Sequence, residues 1–317
     1  MNLRRNMIMT KYLVFGHKNP DTDTIASAIA MAYFLEKSGE EAEPVALGQV
    51  NDETQFALES FNCEPPRLIE KINGEVEQVA LVDHNEPAQT VEDIDSVEVH
   101  YVVDHHRIHG FETSQPLYYR AEPIGCTATI LYKMFQENNI DIPQSIAGLM
   151  VSAIISDSLL FKSPTCTQQD KDAAVELADI AGVDLEDYGM KLLKSGTNLS
   201  SKTDGGIIND DAKNFDMTGK NVRIGQINVV DHDEIIARKD SLIKQMEQEL
   251  IIEGYDLSIL VATNILSSDS IAFVVGQYTD QVEKAFNTSI QDNEISLPGV
   301  VSRKKQVVPQ LTEAFEN

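Results

Sequence analysis

Short apolar runs alternate with longer amphipathic segments along the first third of the chain. Residues 11–16 (KYLVFG) read as a buried strand, and the Ala- and Ile-rich stretch through ASAIAMAYFLEK to Gly39 reads as a helix. A second strand over 43–48 (EPVALG) leads into a helix around 52–61. VALVD (79–83) and VHYVVD (99–104) are two further strands, and each runs into an Asp-His pair. Strands and helices alternating at this spacing predict a largely parallel sheet with right-handed crossovers. Ligands of such sheets bind beyond the carboxyl ends of the strands. His17, Asp83 and His105 all follow such an end, so they should converge on one edge of the sheet.

A helical block comes next. CTATILYKMFQENN is amphipathic and stops at paired asparagines, Pro143 opens SIAGLMVSAIIS, and DKDAAVELADIAG and DLEDYGMKLLKSG follow. SGTNLSSKTDGG (195–206) is rich in Ser, Thr and Gly and is the best linker candidate. Beyond it, VRIGQINVV, LSILVATNIL and IAFVVGQ read as strands, with a helix near 233–251 between the first two. The expected fold is therefore α/β in two domains. A domain over 1–195 has a mostly parallel sheet flanked by helices, a flexible linker covers 196–204, and a smaller mixed α/β domain covers 205–317.

Composition fits this division. The chain has 317 residues, 42% hydrophobic and 24% charged, enough for two ordinary globular cores. Net charge is 25 − 51 = −26, a surface that repels polyanions and offers no basic stripe for DNA or RNA. Cys63, Cys126 and Cys166 are odd in number and far apart, which argues against a disulfide framework or a thiolate zinc site and suits a reducing cytosol. Arg4 and Arg5 before MIM superficially suggest a leader, but Asn6, Thr10 and Lys11 break the apolar run. The longest apolar stretch, 146–155, is about half a membrane span. A cytoplasmic protein with no membrane or nucleic-acid partner is expected.

Candidate chemistry gathers at the strand ends. Of 7 histidines, four (His17, His84, His105, His106) sit in the short segments GHKNPDTDT, LVDHN and VVDHH. Together with Asp21, Asp23, Asp83 and Asp157, all but His84 suggest the ligand set of a paired-metal site. Imidazole and carboxylate without thiolate favour Mn²⁺, Co²⁺ or Mg²⁺ over structural zinc. Asp21 and Asp23, two apart, would leave the same face of an extended loop stiffened by Pro20 and hold different ions. Asp157 closes a nearly wholly apolar helix, where a buried carboxylate needs a partner or a metal. Taken singly these signals are weak, since an Asp after a strand is also a common helix N-cap. Arg303, Lys304 and Lys305 form a tight cationic run. By the residues alone it reads first as a solvated basic turn, and second as a phosphate contact.

GHKNPDTD, LVDHN, VVDHH, IISDSLLFKSPT and VVSRKKQVVP, in that order over about 11–312, closely resemble the motifs of family II (manganese-dependent) inorganic pyrophosphatases in the DHH phosphoesterase superfamily. The leading MNLRRNMI looks like an extension. The resemblance implies a DHH-type first domain in which His17, Asp21 and Asp83 bind one metal. Asp23, Asp83, His105 and Asp157 would bind the other, with Asp83 as the bridge. It also implies that His106 faces the substrate, that Asp104 orients the imidazoles, and that Lys213, Arg303 and Lys304 clamp phosphate. Lys305 is expected to point elsewhere, because adjacent side chains of an extended segment diverge. His84 is expected to be a packing histidine. The implied activity is hydrolysis of inorganic pyrophosphate to two orthophosphates by a hydroxide activated by two Mn²⁺ or Co²⁺ ions. A further Mg²⁺ would ride on the substrate, the domains would close about the linker, and the protein would be a homodimer. The runner-up is a DHH-type phosphodiesterase acting on short oligonucleotides or cyclic dinucleotides. It is disfavoured because no GGGH-like motif follows the linker and the chain has no tryptophan. A metal or nucleotide sensor is a more distant alternative, since ordinary helices fill the stretch between His106 and Asp157.

Overall fold

The computed structural model describes residues 12–197, 199–200 and 202–316; the expected N-terminal extension lies outside the described residues. The chain divides between Gly196 and Thr197 into two compact units. That division falls at the start of the expected linker, and a helix already begins at Asp204.

The first unit carries β1 (Tyr12–Phe15), β2 (Ala42–Ala46), β3 (Arg67–Leu68), β4 (Gln78–Val82), β5 (Glu98–Asp104) and β6 (Tyr118–Ala121). They form one sheet in the order β3-β2-β1-β4-β5-β6, and every pairing is parallel. All four residues of β1 are buried, as suits a strand covered on both faces. Register places Phe15 beside Leu81 and Val82 beside Val103, so β1, β4 and β5 end side by side. The strand order reverses between β1 and β4, and there a doubly wound sheet opens its ligand crevice. Around the sheet lie α1 (Thr22–Lys37), α2 (Asp52–Ser60), α3 (Thr127–Glu137), α4 (Gln144–Ser158), α5 (Gln168–Ala181) and α6 (Leu185–Gly196). Residues 146–155 of α4 are all buried, which explains a run with no polar face. None of the described helices is long and apolar enough to cross a membrane.

One local expectation changes. Asp21 and Asp23 do not share an extended loop. Asp21 is the N-cap of α1 and Asp23 sits in its first turn, because the Asp21 carboxylate accepts from Thr24 N and starts the helix there.

The second unit contains α7 (Asp204–Asn209), β7 (Ala212–Met217), β8 (Lys220–Val229), α8 (Asp233–Ala237), α9 (Lys239–Glu253), β9 (Leu257–Asn264), β10 (Asp269–Gly276), α10 (Thr279–Phe286), β11 (Glu294–Leu297) and α11 (Val308–Glu316). Its sheet order is β11-β10-β9-β8-β7. Only β8 and β9 pair in parallel, joined by the crossover through α8 and α9; the other neighbours are antiparallel. Alternation along β8 feeds two cores: Val222 and Ile224 enter one, Ile227 and Val229 the other.

The basic run also departs from the extended form expected of it. Arg303–Val307 is a π-helical turn running into α11, closed by Val307 N donating to Ser302 O at 3.2 Å. The Gln306 amide oxygen accepts from Val301 N and Ser302 N and so folds the segment back on itself.

Candidate metal centre

The centre starts at the end of β1. Gly16 has Thr24 pressed against it, and a Cβ there would lie 2.5 Å from Thr24 Cγ2. Glycine thus lets Thr24 approach and donate from Oγ1 to Asp83 Oδ2 at 2.7 Å. His17 Nε2 lies 3.5 Å from Asp21 Oδ2 and 3.4 Å from Asp83 Oδ2. Asp21 therefore divides its carboxylate: Oδ1 caps α1 at 2.9 Å from Thr24 N, and Oδ2 faces the histidine.

Asp83 follows β4 with φ of 58°, in the left-handed region that asparagine and aspartate tolerate better than most residues. Its N–H donates to Val103 O at 2.9 Å, which ties this bend to β5. Asp83 Oδ1 accepts from Thr127 Oγ1 at 3.2 Å and lies 3.4 Å from His105 Nε2. His105 Nε2 is also 3.8 Å from Asp157 Oδ2 and 4.0 Å from Asp23 Oδ2. Its Nδ1 meets the Ile124 carbonyl at 3.1 Å; a carbonyl only accepts, so Nδ1 carries a proton and Nε2 is the nitrogen turned toward the carboxylates. Asp23 is wholly buried at the N-terminus of α3, accepting from Thr127 N at 2.7 Å, Ala128 N at 3.1 Å and Ser27 Oγ at 2.7 Å.

Donor atoms within 4.8 Å of one another fall into three groups: His17 with Asp21 and Asp83, Asp83 with His105 and His106, and Asp23 with Cys126 and Asp157. Asp83 belongs to two of them. The electrostatics point to a cation. Among the described residues no lysine or arginine forms an ion pair with Asp21, Asp23, Asp83 or Asp157; their charged neighbours are imidazoles. Burial and the neighbouring Asp83 push the Asp23 carboxyl up to about 6. Burial, Asp23 and Asp83 push Asp157 well above the carboxylate range. Burial also opposes charge on Asp83, yet His105 and His17 outweigh it and hold the group ionised. Burial works against a proton on His17 and His105 too, but the carboxylates win and raise them to about 10 and about 9. A set of oxygens and imidazole nitrogens this short of positive charge fits hard or borderline divalent ions.

Asp104 is fully buried and holds its neighbour in place. Its Oδ1 accepts from His106 N at 3.0 Å and from His106 Nδ1 at 2.9 Å, while Oδ2 accepts from Asn85 Nδ2 at 2.6 Å. His106 remains half exposed. His84 is buried against Phe15 with Nδ1 2.9 Å from Val82 O.

Three residues of the centre escape the sequence reading. Cys126, the N-cap of α3, lies buried beside Asp23 and Asp157. Glu53 accepts from Thr22 Oγ1 at 2.8 Å and from Ser156 Oγ, joining the first turn of α1 to the helix end bearing Asp157. Buried Asp170 accepts from Gly125 N at 2.9 Å and Thr129 Oγ1 at 2.7 Å, bracing the start of α3.

The cationic residues lie in the second unit. Lys213 is exposed on β7, and Lys304 and Lys305 are exposed on the π-helical turn. Arg303 is buried and bonded to Asp211 and to the carbonyl of Ile224, the β8 partner of Lys213.

Comparison with known proteins also finds two domains. The family model described as "DHH family, N-terminal domain" matches residues 11–154, and that of the "DHHA2 domain" matches 190–314. A Lactobacillus johnsonii protein named "Probable manganese-dependent inorganic pyrophosphatase" is 57% identical over 310 residues, covering 97% of this chain and all of its own length. An Enterococcus faecalis protein of the same name is 57% identical over 307 residues, with coverage of 97% and 100%. Among solved structures, a Methanococcus jannaschii protein described as a "putative family II inorganic pyrophosphatase" matches with a TM-score of 0.61 and 42% identity, over 96% of this chain and 100% of that one. An exopolyphosphatase-related protein from Bacteroides fragilis, at 15% identity and a TM-score of 0.51 over 97% of this chain and 92% of that one, shares the fold. A cluster of imidazoles and carboxylates near the ends of parallel strands, a following mixed-sheet unit and this near full-length identity lead to one assignment: the chain belongs to the family II, manganese-dependent inorganic pyrophosphatases, built of a DHH and a DHHA2 domain.

Proposed function

We propose that the chain hydrolyses inorganic pyrophosphate to two orthophosphates, with two manganese ions held in the first unit. The observation that carries this reading is the convergence of imidazoles and unpaired carboxylates on Asp83, which belongs to two donor groups at once. Bound manganese, or cobalt in its place, supplies the Lewis acidity that makes water a nucleophile near neutral pH. His17, Asp21 and Asp83 hold one ion, and Asp23, Asp83, His105 and Asp157 hold the other. Asp104, kept ionised by His106 and Asn85 against its burial, takes the His106 Nδ1 proton as its hydrogen bond and turns Nε2 toward phosphate. The same carboxylate raises the His106 pKa, which favours a cationic ring beside an anionic substrate. Lys213, Arg303 and Lys304 neutralise charge spreading over the phosphate oxygens and the leaving group, with Mg²⁺ accompanying the substrate. Splitting ligands and clamp between two units implies closure about the linker, which orients the substrate and excludes water. A homodimer assembled through the first unit, whose sheet ends in the edge strand β6, completes the reading; light scattering on the purified protein should give twice the chain mass.

The test is phosphate release by chelator-stripped protein given back Mn²⁺ and Mg²⁺, with pyrophosphate set beside a short oligonucleotide and a cyclic dinucleotide. Turnover confined to pyrophosphate is expected. Cleavage of the nucleotides instead would keep the metal centre and overturn the substrate.

A further inference from the structure

We infer that Asp211 is a positioning residue for phosphate binding: it occupies one edge of the Arg303 guanidinium so that the other edge is presented to the substrate. This rests on the reading of Arg303 as part of the clamp and specifies how the clamp is built. A guanidinium has five N–H donors in a rigid plane. In Arg303, Nη1 donates to Asp211 O and to Ile224 O at 3.4 Å, and Nη2 donates to Asp211 Oδ1 at 2.8 Å. Asp211 thus takes the end-on edge with its backbone oxygen and its carboxylate together. Nε–H and the second Nη2–H remain, and these two point the same way, forming the side-on edge that matches two phosphate oxygens.

The surroundings fix this geometry. Arg303 N donates to Gln226 Oε1 at 2.9 Å, and Gln226 Nε2 donates to Thr263 Oγ1 at 3.0 Å and Val301 O at 3.1 Å. Gln226 N donates in turn to Asp211 O at 3.0 Å, so β8, β9 and the π-helical turn are joined at one point. Lys213 stands two residues beyond Asp211 on β7, which sets both cations from the same short segment. A negative side chain beside an anion site needs a reason. The Asp211 carboxylate is 59% exposed, and an ion pair that open to water contributes little to folding. Its contribution is instead to hold a long side chain in one orientation before the substrate arrives, lowering the entropy lost on binding.

The experiment measures kcat, KM for pyrophosphate and manganese content of the full-length, manganese-loaded protein carrying Asp211→Ala, Asp211→Asn, Arg303→Ala or the Asp211→Ala/Arg303→Ala pair. Asp211→Ala should raise KM about five- to tenfold with kcat changed less, the scale of one hydrogen bond to a charged group discounted for its exposure. Asp211→Asn keeps the acceptor and should recover most of that loss, and manganese content should not move. In the Arg303→Ala background, Asp211→Ala should add nothing. A normal or lowered KM in Asp211→Ala beside an impaired Arg303→Ala would overturn the positioning role and leave the clamp standing. Failure of Asp211→Asn to recover, or full additivity in the double variant, would do the same. Wild-type kinetics in Arg303→Ala would overturn the clamp itself, and the inference with it.

Discussion

The two units solve opposite electrostatic problems with opposite materials. The first buries carboxylates that, among the described residues, pair with no lysine or arginine, so charge must come from protons or from a metal. The second leaves Lys213 and Lys304 exposed on short polar segments and buries only Arg303, paired with Asp211. A metal site must exist before its ion arrives, and four of the proposed ligands, Asp21, Asp23, Asp83 and His105, are held by hydrogen bonds to a strand end, a helix start or the loop before α3. The proposed phosphate clamp needs reach, and lysines on a surface strand and turn retain it at little cost in folding. Rigidity marks the one site and solvated charge the other.

The sharpest way to break this contrast is Asp83→Ala. It removes the donor common to two groups and should lower turnover by about a thousandfold or more while stripping manganese. Near-normal activity in that protein would remove the two-metal assignment. Arg303→Ala should cost less, about a hundredfold in kcat/KM, with manganese content unchanged by elemental analysis. Loss of metal there would mean that the units do not divide the labour as described. A smaller effect is expected at Glu53. Because it ties Thr22 to Ser156, Glu53→Ala should weaken manganese binding about tenfold, and Glu53→Gln, which keeps an acceptor oxygen, much less. Calorimetric titration with Mn²⁺ separates the two, and equal affinities would reduce Glu53 to a packing residue.

The smallest effect concerns pH. His17 and His105 have folded-state values raised to about 10 and about 9 from 6.5, so the chelated protein binds more protons folded than unfolded across that window. Their contribution to stability is complete below about pH 6.5 and is lost as pH rises toward 9 and 10. Melting temperatures of the chelated protein should therefore fall between pH 7 and 9, and manganese should flatten the slope by taking the place of the protons. A chelated protein as indifferent to pH as the loaded one would contradict the charge assignment.

Legibility in the sequence follows the same contrast. β1, the last four residues of β4 and the last three of β5 are buried and run into candidate ligands, so apolar runs and polar stops are visible together in YLVFGH, LVDH and VVDHH. β7 (AKNFDM) and β11 (EISL) are edge strands with partly exposed, polar-rich sequences, and no periodicity separates them from loops. The π-helical turn depends on the Gln306 side chain folding back on Val301 and Ser302, a tertiary arrangement that RKKQV does not advertise. Glu53 looks like any acid in an amphipathic helix, since its partners stand 31 and 103 positions away. Cys126 and Thr127 read as ordinary helix residues, and only the fold brings the Thr127 N–H to Asp23 across 104 positions.

The backbone at Asp83 has a consequence for how this chain can change. A left-handed bend admits glycine readily and asparagine or aspartate with modest strain, and resists most other residues. Among the three it admits, glycine brings no donor atom and asparagine brings no charge. Glutamate has the charge but lacks the short side chain that suits the bend. Two unrelated requirements, one from the main chain and one from the proposed ion pair, thus select the same residue. Mutational drift at this position has no neutral neighbour to step to, whereas the exposed surface that carries most of the net negative charge can be rewritten piece by piece.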